Sequence, residues 1–135
     1  MSEAKPYPKA MQLARGERRY RRKIASPKQW QAIIAAKGGT CRLLESVMTN
    51  LDLRGRRGQL GPVQYHHLVP RDLGGDDVAD NIIPLCDLCH RGITDRLPGH
   101  VTALLHTLSD AEYAYAVGKA GEDVWERVYG IRYSR

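Results

Sequence analysis

Phenylalanine is missing from the 135 residues altogether, leaving Trp30, Trp125 and seven tyrosines as the large packing side chains. Long apolar runs are missing too, and none approaches the roughly 18 residues of a membrane span. The opening Met-Ser-Glu-Ala-Lys-Pro-Tyr-Pro-Lys has no apolar stretch of the secretory kind, so a cytoplasmic setting is expected. Cysteine is scarce: Cys41, Cys86 and Cys89 cannot form a closed disulfide set. In a cytosolic chain a Cys-x-x-Cys pair is a metal or a redox element. The redox form needs a thioredoxin-like βαβ context that this sequence does not offer, so metal is favoured. Wholesale disorder is excluded by a composition that is 42% hydrophobic and 27% charged, and the length leaves room for one compact domain with an appendage. Acidic residues are what the N-terminal stretch lacks. Before Gln29 stand nine Lys and Arg against only Glu3 and Glu17, whereas the remainder is nearly neutral, twelve basic against thirteen acidic. The net +6 is therefore a local basic arm, which implies a polyanionic partner, nucleic acid first. A solvated basic terminus is the plainer alternative.

Residues 1–25, with Pro6 and Pro8 and little periodicity, read as an extended or inducibly helical arm, and residues 26–135 as a single domain. Ser26-Pro27 is a helix start, a capping hydroxyl followed by a proline where a missing N–H costs nothing. Trp30, Ile33, Ile34 and Lys37 follow at helical spacing, and Gly38-Gly39 supplies the stop. Thr40 to Leu44 is a short strand candidate. The Arg54, Arg56 and Arg57 cluster among glycines is loop by chemistry. Val63 to Val69 and Ile82 to Leu85 are β-prone, separated by a turn-rich excursion over residues 71–80 that is too long for a tight hairpin. A helix is expected from Asp87 or Leu88 to about Arg96, stopped by Pro98-Gly99. Ser109 and Glu112 form a capping box for a further helix, and another carries Val124, Trp125, Val128 and Tyr129. Their aromatic stripes read as core or a docking face.

The chemistry-bearing stretch is Tyr65-His66-His67-Leu68-Val69-Pro70, Gly74-Gly75, Asn81, and Leu85-Cys86-Asp87-Leu88-Cys89-His90. Side chains alternate along a strand, so adjacent histidines diverge and one ion is not held by both. The pair must then divide its labour, one imidazole binding metal and its neighbour handling a proton. A histidine near its ordinary pKa is neutral enough at pH 7 to accept a proton from water. A nearby cation can neutralise phosphate charge and stabilise the leaving oxygen. Together these groups suit phosphodiester hydrolysis.

In these residues the sequence resembles the HNH endonuclease family with its ββα-metal motif, over residues 63 to about 96. The resemblance implies His66 as the first metal ligand, His67 as the general base, Asn81 as the residue that ties down the loop and fixes the base, and His90 as the second metal ligand. It implies a small α+β fold: a two-stranded antiparallel hairpin plus a helix, flanked by an N-terminal helix and one or two C-terminal helices. It also implies DNA cleavage with inversion at phosphorus, leaving a 3′-hydroxyl and a 5′-phosphate. Small free-standing HNH proteins of this layout resemble phage or prophage nucleases.

The sequence departs from the pattern at two places. Thr94 stands where nuclease colicins, a branch of the family with a similar His-His pair, have a further ligand, and Ile93 stands where many members have Lys. The catalytic ion would rest on two imidazoles plus water and phosphate oxygens, a set that suits Zn²⁺, Ni²⁺ or Mn²⁺ better than Mg²⁺. Many relatives also hold a structural zinc on two Cys-x-x-Cys knuckles. Here Cys86 and Cys89 keep one knuckle and Cys41 half of the other, with Leu44 in its partner's place. The fourth ligand is left open among His100, His106 or none. Arg18, Arg19, Arg21, Arg22 and Lys23 in the arm, with Arg54, Arg56 and Arg57, are candidate DNA contacts of the phosphate-binding, sequence-independent kind. The competing reading is a non-catalytic, zinc-stabilised nucleic-acid-binding module, and the two part company at His67.

Overall fold

The structure is a computed structural model that describes residues 22–44 and 62–135. Arg18, Arg19 and Arg21 of the basic arm, and the Arg54, Arg56 and Arg57 cluster, lie outside the described residues. The first helix, α1 (Pro27–Lys37), starts as its sequence dictates. Ser26 Oγ accepts from Gln29 N, Gln29 Oε1 accepts from Ser26 N, and Pro27 opens the first turn. It ends at Gly38, whose φ of +80° is open to glycine at little cost.

Strands β1 (Gln64–His67) and β2 (Ile82–Leu85) pair antiparallel, with His66 opposite Ile83 and His67 opposite Ile82. All four residues of β2 are buried, whereas β1 is only partly covered. The catalytic candidates thus sit on the more open strand of a sheet whose other strand is core. The helix α2 (Asp87–Thr94) follows β2 at once and completes a ββα unit.

The expected strand over Thr40 to Leu44 is instead a turn, closed by Leu44 N donating to Cys41 O. It makes one bond to the sheet, Arg42 N to the carbonyl of Pro84. Pro84 has no N–H to return, so a reciprocal ladder cannot form at this register. A second correction concerns Pro98-Gly99. α2 ends at Thr94, yet Pro98 opens a further helix, α3 (Pro98–Thr107), occupying the first-turn position that tolerates proline. Helices α4 (Asp110–Ala120) and α5 (Val124–Tyr129) follow, so the C-terminal part has three helices rather than one or two.

The core lies between β2, α2, α3 and α5, around Ile83, Leu85, Ile93, Val101, Leu104 and Trp125. Trp125 is fully buried, stacked on Tyr113 at 5.5 Å and on Tyr129 at 6.3 Å between ring centroids. One buried charge ties the outer elements together. The Glu112 carboxylate accepts from Arg42 Nη1 and Nη2, both at 2.9 Å, from Lys37 Nζ at 2.7 Å and from its own cap's Ser109 N at 2.8 Å. It joins the end of α1, the Cys41 turn and the start of α4.

Candidate active site and metal centre

The loop between the strands is shaped by close backbone approach. Gly74 adopts a left-handed φ of +88°, and Gly75 lies so near the chain that a Cβ there would sit 1.7 Å from Val69 O. Asn81, fully buried, closes the loop. Its Oδ1 accepts from Val69 N at 2.7 Å, while its Nδ2 donates to Val69 O at 3.1 Å and to Asp76 O at 3.0 Å. Its own carbonyl accepts from Leu68 N, directly after β1. Three of the amide's four hydrogen-bonding positions are thereby used on backbone, and the strand carrying the histidines is fixed to the loop. Asp76, also buried, binds Tyr115 Oη and Lys119 of α4 and the backbone N–H of Lys23.

As strand alternation requires, the two histidines diverge. His66 meets α2 and α5: its ring lies 5.4 Å from that of His90, centroid to centroid, and its Nε2 is 2.9 Å from Tyr129 Oη. Two imidazoles bound to one tetrahedral ion at about 2.1 Å would place their centroids about 5 Å apart. The spacing of His66 and His90 therefore fits a shared divalent ion. Burial, followed by the neighbouring His90 and His67 imidazoles, drives the His66 pKa down to about 3. His66 is thus neutral at physiological pH, the form that donates a lone pair to a metal.

His67 faces α1 and the loop. Trp30 stacks on its ring at 6.2 Å with only 9° between the planes, and its Nε2 is 2.8 Å from Asp77 Oδ1. Asp77 is held in its charged form, below the ordinary carboxylate range, by His67, the Ala25 backbone N–H and Arg22 acting against its burial. An anionic carboxylate only accepts, so Nε2 of His67 donates and Nδ1 keeps the free lone pair. Burial, the largest influence, lowers the His67 pKa; the bond to Asp77 opposes it and the Arg71 charge adds to it. His67 is consequently a neutral imidazole with one acceptor nitrogen.

The sulfur atoms of Cys41, Cys86 and Cys89 lie within 4.8 Å of one another, all buried, and form a group able to hold a metal ion. The Cys41 thiol is pushed below its ordinary value by hydrogen bonding from Cys89 and from the backbone at Cys86 and Leu43, while that of Cys89 is raised. One of the three is thus already disposed toward thiolate, the ligand form. Neither His100 nor His106 joins the group. The His106 ring bonds Thr102 O, and His100 packs over Gly92 with a buried Nε2 that lacks a hydrogen-bond partner. Leu44, at the place of the missing knuckle cysteine, packs against the core.

Of the other candidates, Arg22 is paired with Asp77 and donates to Gly75 O at 2.7 Å. Lys23 is joined to the loop through its backbone, N to Asp76 Oδ1 and O from Asp77 N. Thr94 is exposed at the end of α2, and Ile93 is buried in the core, where a lysine would be costly. The sequence did not single out Asp77, Trp30 or Tyr129 as site residues. Asp77 carries no local signal beyond being an acid in a Gly-Gly-Asp-Asp turn, and the two aromatics are indistinguishable from packing residues until the tertiary fold places them.

A strand with a histidine pair, a glycine loop clamped by an asparagine, a second strand and a helix bearing another histidine define a ββα unit of the metal-nuclease type. Residues 55–96 match the model of the HNH endonuclease family, so this segment of the chain is similar to an HNH endonuclease domain. Comparison with the curated proteins and with the solved structures gives no match.

Proposed function

We propose that the protein is a divalent-metal-dependent HNH endonuclease that hydrolyses DNA phosphodiester bonds with His67 as general base. The observation that carries this reading is the division of the histidine pair. His66 lies at ligand-sharing distance from His90, while His67 has its Nε2–H committed to Asp77 and its Nδ1 left as a proton acceptor. In this scheme Nδ1 of His67 takes the proton of an attacking water, and the Asp77 carboxylate orients the ring and stabilises the imidazolium that results. Asn81 acts indirectly, by holding the strand and loop that carry both groups. A cation on His66 and His90 would supply neutralisation of phosphate charge and stabilisation of the leaving oxygen. The two-imidazole set favours Zn²⁺, Ni²⁺ or Mn²⁺ over Mg²⁺. DNA would be held through phosphates by the basic arm and by Arg54, Arg56 and Arg57, without strong sequence preference. We assign the three thiols a structural zinc. A phage or prophage setting suits a small nuclease of this layout.

The test is conversion of supercoiled plasmid to nicked or linear form with each of the four ions, compared with His67→Ala and with EDTA. Metal-dependent conversion by the wild type, lost in His67→Ala with folding and DNA binding retained, is the expected result. Tight DNA binding with no turnover under any of the four ions would instead favour the non-catalytic zinc-stabilised module.

A further inference from the structure

Helix α5 is outside the matched segment, yet its last residue reaches the candidate metal site. Tyr129 is 2% exposed, and its Oη touches two groups: Leu68 O at 2.6 Å and His66 Nε2 at 2.9 Å. A phenol has one proton to give. A carbonyl only accepts, and at 2.6 Å two oxygens without a proton between them would repel, so the hydroxyl proton lies toward Leu68. The bond to His66 must then run the other way, with Nε2–H donating to the phenol oxygen. The remaining ring nitrogen, Nδ1, is left with its lone pair.

We propose that Tyr129 is a positioning residue that fixes His66 in the Nε2–H tautomer and thereby makes Nδ1 the atom that binds the divalent ion. It acts on the ion only through His66. The proposal rests on the reading of His66 as a metal ligand and adds to it the ligating atom and the residue that selects it. A ligating imidazole is held in one tautomer by a partner on its other nitrogen, and loss of such a partner costs 10–100-fold in metal affinity. Here the partner comes from the C-terminal helices, which gives that part of the chain a role at the site.

The test has two arms on the full-length protein. In the first, long-range proton–nitrogen NMR of histidine-labelled, metal-free protein reads the tautomer of His66 directly. Nε2–H is expected in the wild type and a mixture in Tyr129→Phe, which keeps the ring on Trp125; Nδ1–H in the wild type would overturn the proposal, whatever the variant does. In the second, Mn²⁺, chosen because it disfavours the thiols, is titrated by EPR into wild type, Tyr129→Phe and His66→Ala. A 10–100-fold weakening in Tyr129→Phe, with binding abolished in His66→Ala, is the expected pattern. Unchanged affinity in Tyr129→Phe beside loss in His66→Ala would refute the role of Tyr129 alone. Unchanged affinity in His66→Ala would refute the ligand assignment itself.

Discussion

Glu112→Gln perturbs one atom type and tests the connection between the fold and the three-thiol group. The carboxylate is 2% exposed and faces two cations, Arg42 and Lys37, that converge from different elements. The hydrogen bonds from Arg42, then Lys37, then Ser109 outweigh burial and hold its pKa down at about 2, from 4.5. At 1.36 kcal/mol for each pKa unit, that depression corresponds to about 3 kcal/mol of stability at pH 7. The neutral amide keeps the shape and part of the capping box but loses this share, and Tm should fall by roughly 10 °C. The sign follows from linkage. A depressed carboxyl stabilises above its unfolded pKa and ceases to do so as pH falls through the folded one, so the difference between wild type and variant should shrink from pH 4.5 to about 2. Urea unfolding of both proteins at matched pH isolates this term, since other titrations cancel. Because Arg42 follows Cys41, looser metal retention at the three thiols should accompany the loss. A difference below about 1 kcal/mol at pH 7, or one that stays constant down to pH 2, would refute the reasoning.

Three further perturbations address the site. Gly75→Ala sets a Cβ 1.7 Å from Val69 O and 2.9 Å from the Asn81 amide; it should cost more than about 4 kcal/mol or prevent folding, and a wild-type urea midpoint would contradict the clamp. Asp77→Asn removes a group that raises the His67 pKa, so the acid limb of kcat/KM should move to lower pH while the plateau rate falls about 10²-fold or more; a limb that stays put or moves upward would deny Asp77 its role. Leu44→Cys completes a four-thiol set and should tighten zinc binding by at least about tenfold, read by competition with a chelator and by the tetrahedral spectrum of the Co²⁺ form. Equal affinity would mean that the turn does not aim residue 44 at the group.

Much of the scaffold was legible because it is written in local chemistry. Ser26-Pro27 and the Ser109–Glu112 box fix helix starts through bonds three residues apart, and the β-prone runs around Pro70 and Ile82 needed only each other. The motif from His66 to His90 likewise carried its own order. Where local signals erred, a distant partner decided. Thr40 to Leu44 has strand composition but meets Pro84, which cannot return a hydrogen bond. Helix α2 stops at Thr94, ahead of Pro98, with Arg96 in the left-handed region, and Pro98 begins the next, because packing of Val101, Leu104 and Leu105 rewards continuing the chain.

The sequence by itself placed three histidines, an asparagine and the Cys86–Cys89 pair on one expected hairpin and helix, and left open whether Cys41 joins the other two thiols. Only the tertiary structure decided what each imidazole can do. Which nitrogen holds a proton depends on Asp77 for His67 and on Tyr129 for His66, and the second of these lies 63 residues away. A hydrogen bond between side chains so far apart is set by how helices pack on the sheet, and no periodicity or motif along the chain encodes its direction.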